Sequence, residues 1–204
     1  IWDIPFVKDR KSFWPLSKRQ QPKFEHRYGY YECRCRLQQK PGWWSAFWMQ
    51  TSTQGCCLDP ARAGIEHDIM ESFEPGEILP ACFHMNGYGD DYVGFDSIRG
   101  PGDYLGMNTG KQYVTKVDKT VYHTFGFLWE PDGYTLYRDG KRISPKLGKV
   151  GNEAVSQVPE FVLLTTEAKW FRKNKMTGPA DPDLAGSVGD DFVVDYVRVY
   201  DIVK

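Results

Sequence analysis

Short runs of alternating or aromatic-rich residues recur at 28–37, 43–50, 65–73, 79–86, 121–129, 133–138, 160–168 and 191–200, separated by clusters of Gly, Pro and Asp. A period of two places side chains on opposite faces of a strand, so each run can bury one face and leave the other to solvent or ligand. No segment carries the 3.6-residue pattern over three turns. Short strands with turn signals between them predict an all-β chain folded as a two-sheet antiparallel β-sandwich. Gly133-Tyr-Thr-Leu-Tyr-Arg-Asp-Gly-Lys141 reads as a hairpin turning on Asp139 and Gly140.

A chain of 204 residues holds one sizeable core, and residues 1–204 are expected to form a single domain. Its formal charge of −1 argues against nucleic acid or an anionic membrane as partner. Aromatics make up 15% of the residues, which suits stacking on flat apolar faces of sugars as well as filling a β core. No run is long enough to span a membrane as a helix, and Ile1 is not followed by a charged-then-apolar leader, so the start reads as processed or cut. Cys33, Cys35, Cys56, Cys57 and Cys82 have no zinc spacing and make no even disulfide framework. Cys33 and Cys35 share a strand face and are expected in the core, while a disulfide from Cys56 or Cys57 stays open.

Long polar loops at 52–64, 87–113 and 171–190 would rim a concave cleft on one sheet. Residues 1–23, with Trp2 and Trp14, do not read as strands and would belong to the cleft wall.

Glu66, Asp68 and Glu71 fall within six positions of an otherwise apolar strand-like run. In a flat strand Glu66 and Asp68 share a face and Glu71 points away; one extra residue near Ile69 or Met70, a β-bulge, returns it to their side. Like charges gathered on one face repel, so the arrangement costs stability unless something uses it. A retaining glycosidase uses it: one carboxylate attacks the anomeric carbon and another, about 5–5.5 Å away, protonates the leaving oxygen. A short Asp between two Glu residues would hold one of them and separate their proton affinities.

Several segments in order resemble glycoside hydrolase family 16. Lys23-Phe-Glu-His-Arg-Tyr-Gly-Tyr-Tyr-Glu-Cys-Arg-Cys-Arg36 looks like the strand before the cleft. Pro41-Gly-Trp-Trp-Ser-Ala-Phe-Trp-Met49 is similar to the family's Trp-Pro-Ala-x-Trp segment, with Ser45 in place of Pro. Residues 66–71 fit the bulged Glu-x-Asp-x-x-Glu form, and Phe83-His-Met-Asn-Gly87 resembles the His-bearing neighbour strand. Residues 122–133 and 193–200 look like later strands. The resemblance implies a concanavalin-like jelly roll with a concave substrate cleft. It implies Glu66 as nucleophile, Glu71 as general acid/base, Asp68 as support of the nucleophile, and His84 beside them.

Beyond Ser45, the chain departs from the family in three places. His67 stands where an aliphatic residue usually enters the core, and a buried imidazole needs a partner. With Asp68 and Glu71 it offers metal-like donors, but those carboxylates are wanted for catalysis. Leu163-Leu-Thr-Thr-Glu-Ala-Lys-Trp170 differs from the Gly-Gly-Trp ending of β-1,3-glucan enzymes and looks closer to algal galactan branches. The usual N-terminal strands are not legible, so the outer sheet is expected to be incomplete. Asp195 matches one ligand of the structural calcium that many members hold on the convex face; catalysis itself is expected to need no cofactor.

These readings lead to an endo-acting, retaining hydrolase of a β-linked polysaccharide, either a β-1,3-glucan or a galactan such as agar, porphyran or carrageenan. Trp44 and Trp48 share strand parity and would present a stacking platform, with Trp170 closing the other side. Arg62, Arg99 or Arg172 could reach sulfate. A non-catalytic carbohydrate-binding module or lectin, and a transglycosylase on the same fold, are the alternatives. The expected protein is monomeric and secreted or periplasmic.

Overall fold

The computed structural model describes residues 22–54, 57, 59–85, 93–96, 115–148, 155–169 and 186–203. Two antiparallel sheets face each other. One runs in the order β11 (Val193–Tyr200), β1 (Gly29–Arg36), β7 (His123–Glu130), β8 (Gly133–Arg138) and β9 (Lys141–Arg142). The other runs β10 (Phe161–Ala168), β2 (Trp43–Gln50), β3 (Glu66–Glu74), β4 (Glu77–Met85) and β5 (Val93–Asp96), with β6 (Thr115–Lys116) also paired to β4. The expected all-β sandwich is the observed architecture. Residues 1–21, with Trp2 and Trp14, lie outside the described residues, as do Cys56 and Trp170.

Alternation dictates what each sheet contributes to the core. In β1 every second residue is buried, so Tyr31, Cys33 and Cys35 point inward together. They meet Phe125, Phe127 and Trp129 of β7 and Tyr134 and Leu136 of β8, opposite Phe47, Met49, Ile78, Phe83 and Met85 of the second sheet. Phe127 and Tyr134 stack with centroids 5.2 Å apart. The Trp129 indole N–H, carried into this apolar layer, donates to the Ser156 carbonyl at 3.2 Å. Cys33, Cys35, Cys57 and Cys82 are all free thiols.

Turns follow their residues. Asp139 and Gly140 have φ of 49° and 72°, the left-handed pair that a two-residue hairpin between β8 and β9 requires. The single-turn helix α1 (Pro60–Ala63) is capped by the Asp59 carboxylate, which accepts from the Ala61 N–H at 3.1 Å. Gly64 then turns the chain into β3 with φ of 81°; a Cβ there would lie 2.1 Å from Thr51 Cγ2. The sequence reading of 87–113 as one loop is corrected at Val93–Asp96, which forms β5. Too short to show a period by itself, β5 is recruited by the edge of β4.

Candidate active site

The bulge lies where the three carboxylates demand it. Across β2, Phe47 faces Met70 but Trp48 faces Asp68, so Ile69 is the extra residue on β3. Ile69 and Met70 are consecutive, yet both belong to the buried core cluster. The strand's phase therefore changes between Asp68 and Glu71, and the three acids share the opposite face. Each is nearly buried, with 7%, 5% and 6% of its surface exposed for Glu66, Asp68 and Glu71.

Neighbouring strands supply a partner for each acid. Gln50, at the end of β2, donates from Nε2 to Glu66 Oε2 at 2.7 Å. His84 on β4 stands opposite Glu66 in register, and its Nε2 lies 2.9 Å from Asp68 Oδ2 and 3.7 Å from Glu66 Oε1. Trp44, at the other end of β2, donates its indole N–H to Glu71 Oε1 at 3.0 Å. The ring of Trp44 packs on Phe73 with centroids 4.7 Å apart.

Trp48 shares this face through strand parity, but its N–H donates to Thr165 Oγ1 on β10 at 3.0 Å. Glu167 of β10 stands beside Trp44 in register and adds a fourth carboxylate to the face. Trp44, Trp48, His84 and the three acids are thus brought together; Trp170, Arg99 and Arg172 fall outside the described residues. Arg62 is exposed in the last turn of α1. Asp195 is on the outer face of β11, far from the acids in the fold, where its carboxylate pairs with the Arg34 guanidinium.

Glu66, Asp68 and His84 place three donor atoms within 4.8 Å of one another. Within this group His84 Nε2 lies against Asp68 Oδ2, and Gln50 donates to Glu66 Oε2.

His67 points the other way, into the core, between the rings of Phe83, Phe127 and Tyr134 at 4.8, 5.1 and 4.6 Å. The partner it needs is Glu160, whose Oε2 is 2.8 Å from Nδ1. Sequence reasoning named neither Glu160 nor Gln50. Gln50 did carry a signal, because it shares parity with Trp44 and Trp48 on a strand facing Glu66.

The model of the family described as glycosyl hydrolases family 16 matches residues 15–160. No curated protein sequence matches the chain. Among solved structures it is similar to LamAcat from Zobellia galactanivorans, with 19% identity, TM-score 0.54, and 88% of this chain and 66% of that one covered. A laminarinase from Flavobacterium sp. UMI-01 gives 21%, 0.57, 88% and 69%. The laminarinase catalytic domain from Thermotoga maritima MSB8 gives 23%, 0.56, 89% and 67%. At such identities the likeness is one of fold, and the chain spans about two thirds of the length of these structures. The family model, by contrast, covers most of this sequence, including the bulged strand and its three acids: the chain belongs to glycosyl hydrolases family 16.

Proposed function

We propose that this chain is an endo-acting, retaining glycoside hydrolase that cleaves internal bonds of a neutral β-glucan. One observation carries the reading: a bulge at Ile69 turns Glu66, Asp68 and Glu71 onto one sheet face. In this reading Glu66 attacks the anomeric carbon and the glycosidic oxygen leaves with the bonding pair. Glu71 gives that oxygen its proton. Water then attacks the glycosyl ester, yielding its proton to Glu71, and both carboxyls return to their starting states. Asp68 and His84 act on Glu66 from the side, and the surfaces of Trp44 and Trp48 receive sugar rings.

Family membership supports hydrolysis over a binding module, since a lectin has no use for a nucleophile beside an acid. The charge of the cleft floor supports a neutral polymer. Among the described residues it carries Glu66, Asp68, Glu71 and Glu167, while Lys169 at its margin is neutralised by Glu74. A sulfated galactan would meet repulsion there. Because a polymer of this kind cannot cross a membrane, the enzyme would work outside the cytoplasm.

The test is incubation of the purified protein with laminarin, mixed-linkage glucan, agarose, porphyran and carrageenan, with Glu66→Gln and Glu71→Gln alongside. Oligosaccharides should be released from a β-glucan, with a loss of about a thousandfold or more in the Glu66 variant. Binding of polymer without cleavage by the parent would point to a sugar-binding module instead.

A further inference from the structure

Gln50 has no exposed surface. Its carboxamide engages partners of opposite character at its two ends. The Thr51 backbone N–H donates to Gln50 Oε1 at 2.9 Å. A backbone N–H can only donate, so this contact fixes which end of the amide is oxygen. The other end, Nε2, faces Glu66 Oε2 at 2.7 Å and has no capacity to accept. A donor that cannot turn away favours the charged carboxylate over the protonated acid. From the other side, His84 Nε2 lies 3.7 Å from Glu66 Oε1, so the carboxylate is flanked by β2 and β4.

A buried amide is a costly choice for this position. Met or Leu would fill nearly the same volume with no polar group to desolvate, so the amide is sustained by its hydrogen bonds, those to the Thr51 N–H and to Glu66 among them. Displacement at an anomeric carbon needs the attacking oxygen aligned at about 3–3.5 Å, and Glu has three side-chain torsions to restrain. Resting on the reading of Glu66 as nucleophile, we propose that Gln50 is a positioning residue that holds the Glu66 carboxylate ionised and oriented for attack.

The experiment isolates the attack itself. A dinitrophenyl 2-deoxy-2-fluoro-β-glycoside of a β-1,3-linked glucose disaccharide is offered to the parent, to Gln50→Met and to Gln50→Glu. In the labelling step a Glu66 oxygen bonds to C1 and dinitrophenolate leaves with the electron pair, needing no proton from Glu71. The fluorine slows hydrolysis, so the ester accumulates and is located by peptide mass spectrometry. The parent should be labelled on Glu66. Gln50→Met should be labelled on the same residue about 10–100-fold more slowly, while its affinity for an unreactive glucan oligosaccharide stays within about twofold. Met preserves packing, so a purely structural role predicts no such split.

Labelling of Gln50→Met within about twofold of the parent rate would overturn the proposal and leave the nucleophile assignment standing. Should Gln50→Met fail to fold, Gln50→Glu keeps the shape but sets an acceptor against Glu66. It should be slower than the parent, and parent-rate labelling would again overturn the role. A label on another residue of the parent would remove the nucleophile assignment and this inference with it.

Discussion

His67 Nδ1 lies 2.8 Å from Glu160 Oε2, and neither side chain exposes any surface. The bond ties the strand that carries the three acids to the segment that begins β10, across the inside of the sandwich. It is incompletely satisfied: His67 Nε2 and Glu160 Oε1 have no hydrogen-bond partner among the described residues. A buried pair of this kind draws little net stability from its attraction, because desolvation opposes it, yet either partner left alone is strongly destabilising. His67→Ile or Glu160→Leu should each lower the unfolding free energy by about 3–5 kcal/mol. The double variant should recover most of that loss. Urea denaturation of the four proteins reads the coupling directly; additive losses would show that the two residues do not act as a pair.

Glu160 also bears on Tyr31. The Tyr31 phenol is buried in the core, and its pKa is raised first by that burial, then by the negative charges of Glu160 and Asp201. The unfolded chain therefore gives up this proton before the folded chain does. Stability is whole below about pH 10 and falls as pH rises above it, because only the unfolded state gains from ionisation. Thermal melts between pH 8 and pH 11 should show that decline, and Tyr31→Phe should lessen it, leaving the part due to Tyr30, whose pKa burial also raises. The same variant loses the contact between Tyr31 Oη and His26 Nδ1 at 3.1 Å, so its melting temperature at neutral pH should be slightly lower.

Trp44 does two things that a pair of substitutions can separate. In the proposed function its ring receives a sugar, while its N–H donates to Glu71 Oε1. Trp44→Phe keeps an aromatic face and removes the donor; Trp44→Ala removes both. A hydrogen bond to a charged group contributes about 1.5–3 kcal/mol, equivalent to about 10–100-fold in rate if it is made in the transition state. Trp44→Phe should lower kcat on a β-glucan by that order with little change in KM, and Trp44→Ala should raise KM as well. If Phe retains the parent kcat, the bond to Glu71 does not contribute to the reaction.

The bulge was legible in the sequence because three acids at positions 66, 68 and 71 cannot share one face of a flat strand, and the packing of Ile69 and Met70 on the same side meets that demand. The hairpin at Asp139 and Gly140 was legible for a similar reason, since few residues accept left-handed backbone. Glu160 was not, because it reaches His67 across 93 residues of chain and no local pattern marks the contact. β5 was hidden in Gly- and Asp-rich sequence that strand propensity disfavours, and β6, two residues long, is too short to show alternation. Parity placed Trp44 and Trp48 on the face of the three acids, but it could not give the indole N–H groups their acceptors, which depend on the neighbouring strands.

The two glutamates proposed for catalysis have different chemical fates, and a small anion can distinguish them. If Glu71 is the acid/base, Glu71→Ala with an activated aryl β-glycoside still forms the Glu66 ester, because the leaving group needs no proton. Azide in the space left by Glu71 then displaces Glu66 from C1, and two inversions give a β-glycosyl azide. In Glu66→Ala there is no ester to displace; azide attacks the glycoside directly from the side of Glu66, and one inversion gives the α-azide. Proton NMR of the products separates the anomers by the coupling of their H1 signals. A β-azide from Glu71→Ala and an α-azide from Glu66→Ala would fix both roles and the retaining course, whereas the reverse pairing would exchange the two assignments.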